Sequence, residues 1–219
     1  MGLDPTTDEY KSSATKTDSE TSREQRRFLR GMLQRAGLGL TVSPLHKRTD
    51  LGKHCVELVL QLVNTGKLEK SEHILYIDQN IKVPSRDRER LDRAGIECHV
   101  NVDSREVAGI QLADHAAHAL GGMLLEEMGI VTKSVRAGEN SGYAPEELLE
   151  LGFELWANLR YALIGKNEYI EGLSPPPDDP ANPFFRVDGY GLYVSPSCSD
   201  ELAEHARKRF GVNYLGCIH

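Results

Sequence analysis

Apolar positions along this 219-residue chain fall into short blocks, some with helical spacing and some nearly continuous or alternating. Phe28, Leu29, Met32, Leu33 and Ala36 recur at helical spacing after Ser22, which can cap the helix, and Gly37 ends it. "LGLTV", Leu38 to Val42, is short and β-prone, and Pro44 closes it. Leu51, Cys55, Val56, Val59, Leu62 and Val63 form a stripe that predicts a helix over about 50–65, stopped at Gly66. "HILYID" (73–78) is a nearly continuous apolar run ending in a carboxylate, the pattern of a strand buried on both faces. A short charged helix, "SRDRERLDRAG", and an alternating strand, "IECHVNVDS", come next, and then a helix over about 107–128.

The rest of the chain is less regular. "VRAGENSGYAP" is a loop by composition, and Pro145 with Glu146 and Glu147 opens a long helix to about Leu163. "LSPPPDDPANP" reads as an extended arm. A strand over 184–194, a helix from Ser199 to Phe210 ended by Gly211, and a last β segment complete the pattern. Residues 1–21 have no apolar period to bury, so they are expected to be a flexible leader, and the segment around Pro175 to Pro180 is expected to be equally mobile unless another chain orders it. No internal repeat is read. The expected organisation is a leader (1–21), an α/β core (22–135), and an extension (136–219) holding a helix, the arm and a terminal strand–helix–strand.

Composition narrows the functional classes. No apolar run reaches the roughly 18 residues needed to span a bilayer, and the first 21 residues are too polar for a secretory signal, so a soluble cytoplasmic protein is expected. Cys55, Cys98, Cys198 and Cys217 lack zinc or redox spacing and read as buried thiols. A net charge of −7 argues against a general nucleic-acid coat, yet from Arg23 to Arg93 there are 15 Lys and Arg against 9 acids, and from Glu139 to Asp179 there are 9 acids against 2 bases. One half could face phosphate.

The helix "GIQLADHAAHALGG" raises the chemical question. Helical spacing puts Gln111, Asp114, His115 and His118 on one face, with Ile110, Ala113, Ala117, Leu120 and Leu124 on the packing side. Ala113, Ala116, Ala117, Gly121 and Gly122 would let the helix lie close to a sheet and bring Asp114 near the strand ends. If the two strands are neighbours, Asp78, Asp103 and Asp114 could converge there. Clustered carboxylates repel unless a cation neutralises them, and hard oxygen ligands favour Mg²⁺ or Mn²⁺, which can cleave phosphodiesters in pairs. The plain alternatives stay open: Asp103 before Ser104 suits a turn, Asp78 suits a strand end, Asp114 suits a bond to a backbone donor, and His115 and His118 suit a solvated face.

With these residues in view, "ILYIDQN", a charged helix and "VNVDSREVAGIQLADHAAHALGG" resemble the second half of the domain-of-unknown-function family numbered 3800. The match runs from about Phe28 to Met128 and is most specific at "GIQLAD". The resemblance implies a ribonuclease H-like mixed sheet with flanking helices and a proposed metal-dependent nuclease activity of mobile-element or defence systems. It makes Asp78 and Asp114 the catalytic, metal-binding pair, with Gln111 beside them. The family opens with a strand reading approximately "YiDESG", whose acid belongs to the metal site, and residues 1–21 contain none. The fold is therefore expected to be incomplete or rearranged at its N-terminus. A replacement could come from Asp188 in "FFRVDGYGLYV", from a second copy in a homo-oligomer, or not at all.

Two functions follow. One is a Mg²⁺- or Mn²⁺-dependent nuclease using Asp78 and Asp114, with His118 and Asp103 as accessories and Arg86, Arg88 and Arg90 holding the phosphates of a nucleic acid. The other is a non-catalytic binding or assembly module on the same sheet, in which "SRDRERLDR" is only a solvated helix face.

Overall fold

The computed structural model of the chain describes residues 31–69, 71–137, 143–167, 184–186 and 191–214. The leader, Pro175 to Pro180, Asp188 and Cys217 lie outside them, and the first helix is described only from Gly31. Strands and helices alternate through the centre: β1 (Leu40–Val42), a 3₁₀ segment (Leu45–Asp50), α1 (Leu51–Asn64), β2 (His73–Asp78), α2 (Ser85–Arg93), β3 (Ile96–Val102) and α3 (Ala108–Glu127). Then come β4 (Ser134–Arg136), β5 (Leu148–Glu150), α4 (Leu151–Leu159), β6 (Lys166–Asn167), β7 (Phe184–Arg186), β8 (Leu192–Val194), α5 (Asp200–Phe210) and β9 (Val212–Tyr214).

The architecture is mixed α/β, with the described strands divided among four small sheets. β1 pairs with β8 and β2 with β3, both parallel; β4–β5 and β6–β7–β9 are antiparallel. Among the described residues no helix is long and apolar enough to cross a membrane.

β2 differs from the expected interior strand. Ile77 is 5% exposed, but Ile74 is 52% and Tyr76 40% exposed. The strand alternates because α1 and α2 both lie on one side, where Val56, Leu91 and Ile96 close a small core with Ile77 and Val83. A larger core joins Leu33, Leu40, Leu120, Met123, Leu159, Leu163, Leu192 and Phe210 from widely separated parts of the chain.

α3 begins and ends within a residue of its expected bounds but is rotated from its expected face. Ala116, Ala119, Leu120 and Met123 are buried with Ile110, whereas Ala113 and Ala117 are exposed. Added Cβ atoms at Gly121 and Gly122 would meet nothing within 4 Å, so those glycines are not there for close approach. At the far end of α3, Glu127 pairs with Lys208 (2.5 Å) and Arg209 (3.4 Å) of α5.

The long helix expected from Pro145 is shortened at its start, while a 3₁₀ turn over Arg160–Ala162 carries it to within a residue of its expected end at Leu163. Leu148–Glu150 pair with β4 instead, and α4 starts at Leu151, where the Glu126 carboxylate accepts from the Gly152 N–H at 2.8 Å. The strand expected over 184–194 is likewise divided, β7 pairing in one sheet and β8 in another.

β1 and β8 also uncover a repeat that inspection of the sequence missed. "GLTVSP" (39–44) and "GLYVSP" (191–196) lie side by side, with Leu40 opposite Leu192 and Val42 opposite Val194. Leu40 N donates to Gly191 O at 2.6 Å and Ser195 N to Val42 O at 2.9 Å, so both Ser–Pro turns leave the pair at the same level. Gly191 has to be glycine, since a Cβ there would stand 2.3 Å from the Ile164 carbonyl oxygen.

Candidate functional site

The carboxyl ends of β2 and β3 hold the acids singled out by sequence, where open parallel sheets usually place their sites. The register, with an irregularity after Tyr76, sets Asp78 opposite Val102 and so next to Asp103. Gln79 N donates to Val102 O (3.2 Å) and to Asp78 Oδ1 (2.8 Å), making Asp78 a lock on its own turn. Asn80 (φ 71°) and Asn101 (φ 59°) sit in the left-handed region here, which asparagine tolerates better than most residues.

Asp103 is held still more completely. Its Oδ1 accepts from the Arg105 backbone N–H at 2.9 Å, while Arg105 Nε and Nη2 reach Oδ2 at 3.1 and 2.5 Å. The bonds from the Arg105 side chain, then its backbone, draw the Asp103 carboxyl down to about 2. Arg105 supplies the positive charge that clustered carboxylates otherwise take from a cation.

Gln111 is half-buried, and its Nε2 donates to Ser104 O at 2.8 Å, pinning the first turn of α3 to the loop after β3. Asp114 and His118 are exposed one and two turns further on. The structure thus brings Asp78, Asp103 and Gln111 to neighbouring segments and leaves Asp114 on a solvent face. Among the described residues, no three His, Cys, Asp or Glu side chains converge to hold a metal ion together.

The three arginines of α2 separate by role. Arg86 and Arg88 are exposed, Arg88 reaching Ser85 Oγ at 3.2 Å. Arg90 grips both oxygens of Glu57 on α1 (2.5 and 2.9 Å) and Asp87 Oδ1 (3.1 Å). That grip, more than any other contact, lowers the Glu57 pKa and ties α2 to α1. The pair lines a shallow cleft of about 310 Å³ with Gln61, Asn64, Thr65 and Tyr193.

The most deeply buried polar cluster among the described residues lies elsewhere, on residues not expected from the sequence. His54, one turn into α1, is 4% exposed, and Ser195 is 2% exposed. His54 Nδ1 lies 3.0 Å from Ser43 Oγ and Nε2 lies 3.2 Å from Ser195 Oγ, so one imidazole joins the two repeated Ser–Pro turns. The repeat "GLxVSP" was the available signal. Cys55, Cys98 and Cys198 are half-buried free thiols, raised mainly by burial.

No protein-family model, curated protein or solved structure matches the chain.

Proposed function

We propose that this chain is a cytoplasmic binding or assembly module whose central part is a variant of the ribonuclease H-like core of the domain-of-unknown-function family numbered 3800. The parallel β2–α2–β3 unit, followed by a helix carrying Gln111 and Asp114, supports the family reading. The observation that carries the non-catalytic reading is the separation of the acids: Asp114 lies on a solvent face of α3, while Asp103 at the strand ends has both oxygens engaged by Arg105. A Mg²⁺ or Mn²⁺ ion needs carboxylate oxygens free to coordinate it. Asp103 is committed to a guanidinium and Asp114 lies on a solvent face, and among the described residues no three His, Cys, Asp or Glu side chains come together as a donor set for that ion.

Assembly with a second copy draws support from β2 and β3. Parallel strands are ordinarily covered on both faces, and here Ile74 and Tyr76 face outward among the described residues.

A second reading, the metal-dependent nuclease, is favoured by one specific placement: Asp78 and Asp103 end adjacent parallel strands. In that reading Asp78 and Asp114 hold the metal, and Arg86 and Arg88 face the phosphates of a nucleic acid.

Unfolding midpoints with chelator and with millimolar Mn²⁺ separate the two, measured on the wild type and Asp114→Asn. The module predicts no Mn²⁺ shift in either protein, no cleavage of single- or double-stranded nucleic acid, and a change below about 0.5 kcal/mol on substitution, because Asp114 is exposed. A Mn²⁺-dependent rise that disappears in Asp114→Asn would establish the nuclease reading instead.

A further inference from the structure

The imidazole of His54 stands between two chain segments that meet only in the folded protein, the turn after β1 and the turn after β8. We propose that His54 is a proton-sensitive latch: neutral, it fastens the carboxyl ends of β1 and β8, and acidification releases this parallel pair.

The hydrogen-bond pattern gives the latch its sense. Ser195 Oγ accepts from the Ser197 backbone N–H at 3.2 Å and lies 3.2 Å from His54 Nε2. With Nε2 unprotonated, the Ser195 hydroxyl donates to it, and Nδ1–H donates to Ser43 Oγ at 3.0 Å. Both imidazole nitrogens and the Ser195 hydroxyl are then satisfied. Protonation reverses the Nε2 bond: Ser195 Oγ must accept from both Nε2–H and Ser197 N–H, and its own proton is left without an acceptor at a site 2% exposed. The cation itself is buried among hydroxyls.

The surrounding charges do not reverse this. Asp50, in the 3₁₀ segment, favours the imidazolium and Lys53 on α1 opposes it. Glu57, three residues along α1 from His54, is the acid best placed on its own helix, but Arg90 of α2 occupies both its oxygens. From β8, Tyr193 presents a ring 5.8 Å from the imidazole, its phenol pushed up mainly by burial, and Cys198 beyond it holds a neutral thiol bonded toward Val42 O. Burial dominates and lowers the His54 pKa.

The linkage has one sign. Opening frees His54 to bind a proton at its ordinary value of about 6.5, whereas the closed form binds it only at lower pH. Between those values each opening takes up one proton, so acidification favours opening.

Hydrogen exchange of the full chain, corrected for intrinsic exchange rates and followed from pH 7.5 to 5, tests the latch. Opening at 40–42 and 192–194 should rise below about pH 6.5 with a slope approaching about tenfold per pH unit. In His54→Gln, opening should already be raised at pH 7.5 and should lose that slope. If the variant does not fold, imidazole NMR of the wild type decides, since the latch requires His54 to titrate below the ordinary value. A flat wild-type profile, a slope surviving in His54→Gln, or His54 titrating at or above about 6.5 overturns the proposal.

Discussion

The two parallel strand pairs use polar residues in opposite ways. At β1–β8 a single buried imidazole joins Ser43 and Ser195, and His54 and Ser195 are 141 residues apart in sequence. At β2–β3 the acids bond to neighbours one or two residues away, Asp78 to Gln79 and Asp103 to Arg105. A long-range buried bond can form only when the whole fold is in place, while a local exposed bond forms wherever its turn forms. The β1–β8 end should therefore be sensitive to small changes, and the acidic edge should be tolerant.

Paired glycine substitutions should show the largest contrast. Gly191→Ala drives a Cβ into the Ile164 carbonyl and should cost at least about 2 kcal/mol. Gly121→Ala, in α3 with nothing within 4 Å of the new methyl, should stabilise by about 0.5–1 kcal/mol through its better helix propensity. Denaturant midpoints measure both. Equal effects at the two sites would break the comparison.

An intermediate effect is expected where α1 meets α2. Arg90→Ala should cost about 1 kcal/mol at neutral pH, since both side chains of the Arg90–Glu57 pair are partly exposed, 33% and 26%, and water screens them. The folded Glu57 pKa is lowered. The pair's contribution is therefore complete above the ordinary value of about 4.3 and is lost as pH falls through the folded one. The stability gap between wild type and Arg90→Ala should narrow on that descent. A gap constant from pH 7 to 3 would show that packing, not charge, joins the two helices there.

The smallest effect should be at Asp103. Its carboxyl should titrate at about 2 by NMR. In Arg105→Gln it should return toward the ordinary value of about 3.9 while the fold persists. Loss of folded structure in that variant would show that the acidic edge supports more than its own turn.

Periodicity made the central order β2, α2, β3 and α3 readable from the sequence, because each element there is built by local spacing and ended by a nearby glycine or charged turn. Whether β2 is covered on one face or on both was not readable from "HILYID". The same apolar run suits a strand covered once or twice, and which occurs depends on what packs over Ile74 and Tyr76. Pro145 and its acids suggested a helix start, but pairing of Leu148–Glu150 with β4 outweighed it. The short β1 and β8 were visible as β-prone runs, yet their pairing is set by distant partners that no local window contains. His54 was passed over for the same reason, since its serines lie on either side of it in sequence and one of them is far away. The acids were easier to find than to interpret: carboxylates at strand ends are conspicuous, but Arg105 decides what Asp103 can do.

The β1–β8 pairing also constrains how the chain is made. At about 5–20 residues per second, the 141 residues between His54 and Ser195 take on the order of 10 s to synthesise. Throughout that interval Leu40 and Val42 have emerged without their strand partners, while β2, α2 and β3 can already assemble from neighbouring sequence. The nascent chain must keep an apolar strand edge unpaired until its near-duplicate arrives, which makes this interval the one in which a chaperone, or a second nascent copy offering its own "GLYVSP", would compete for β1.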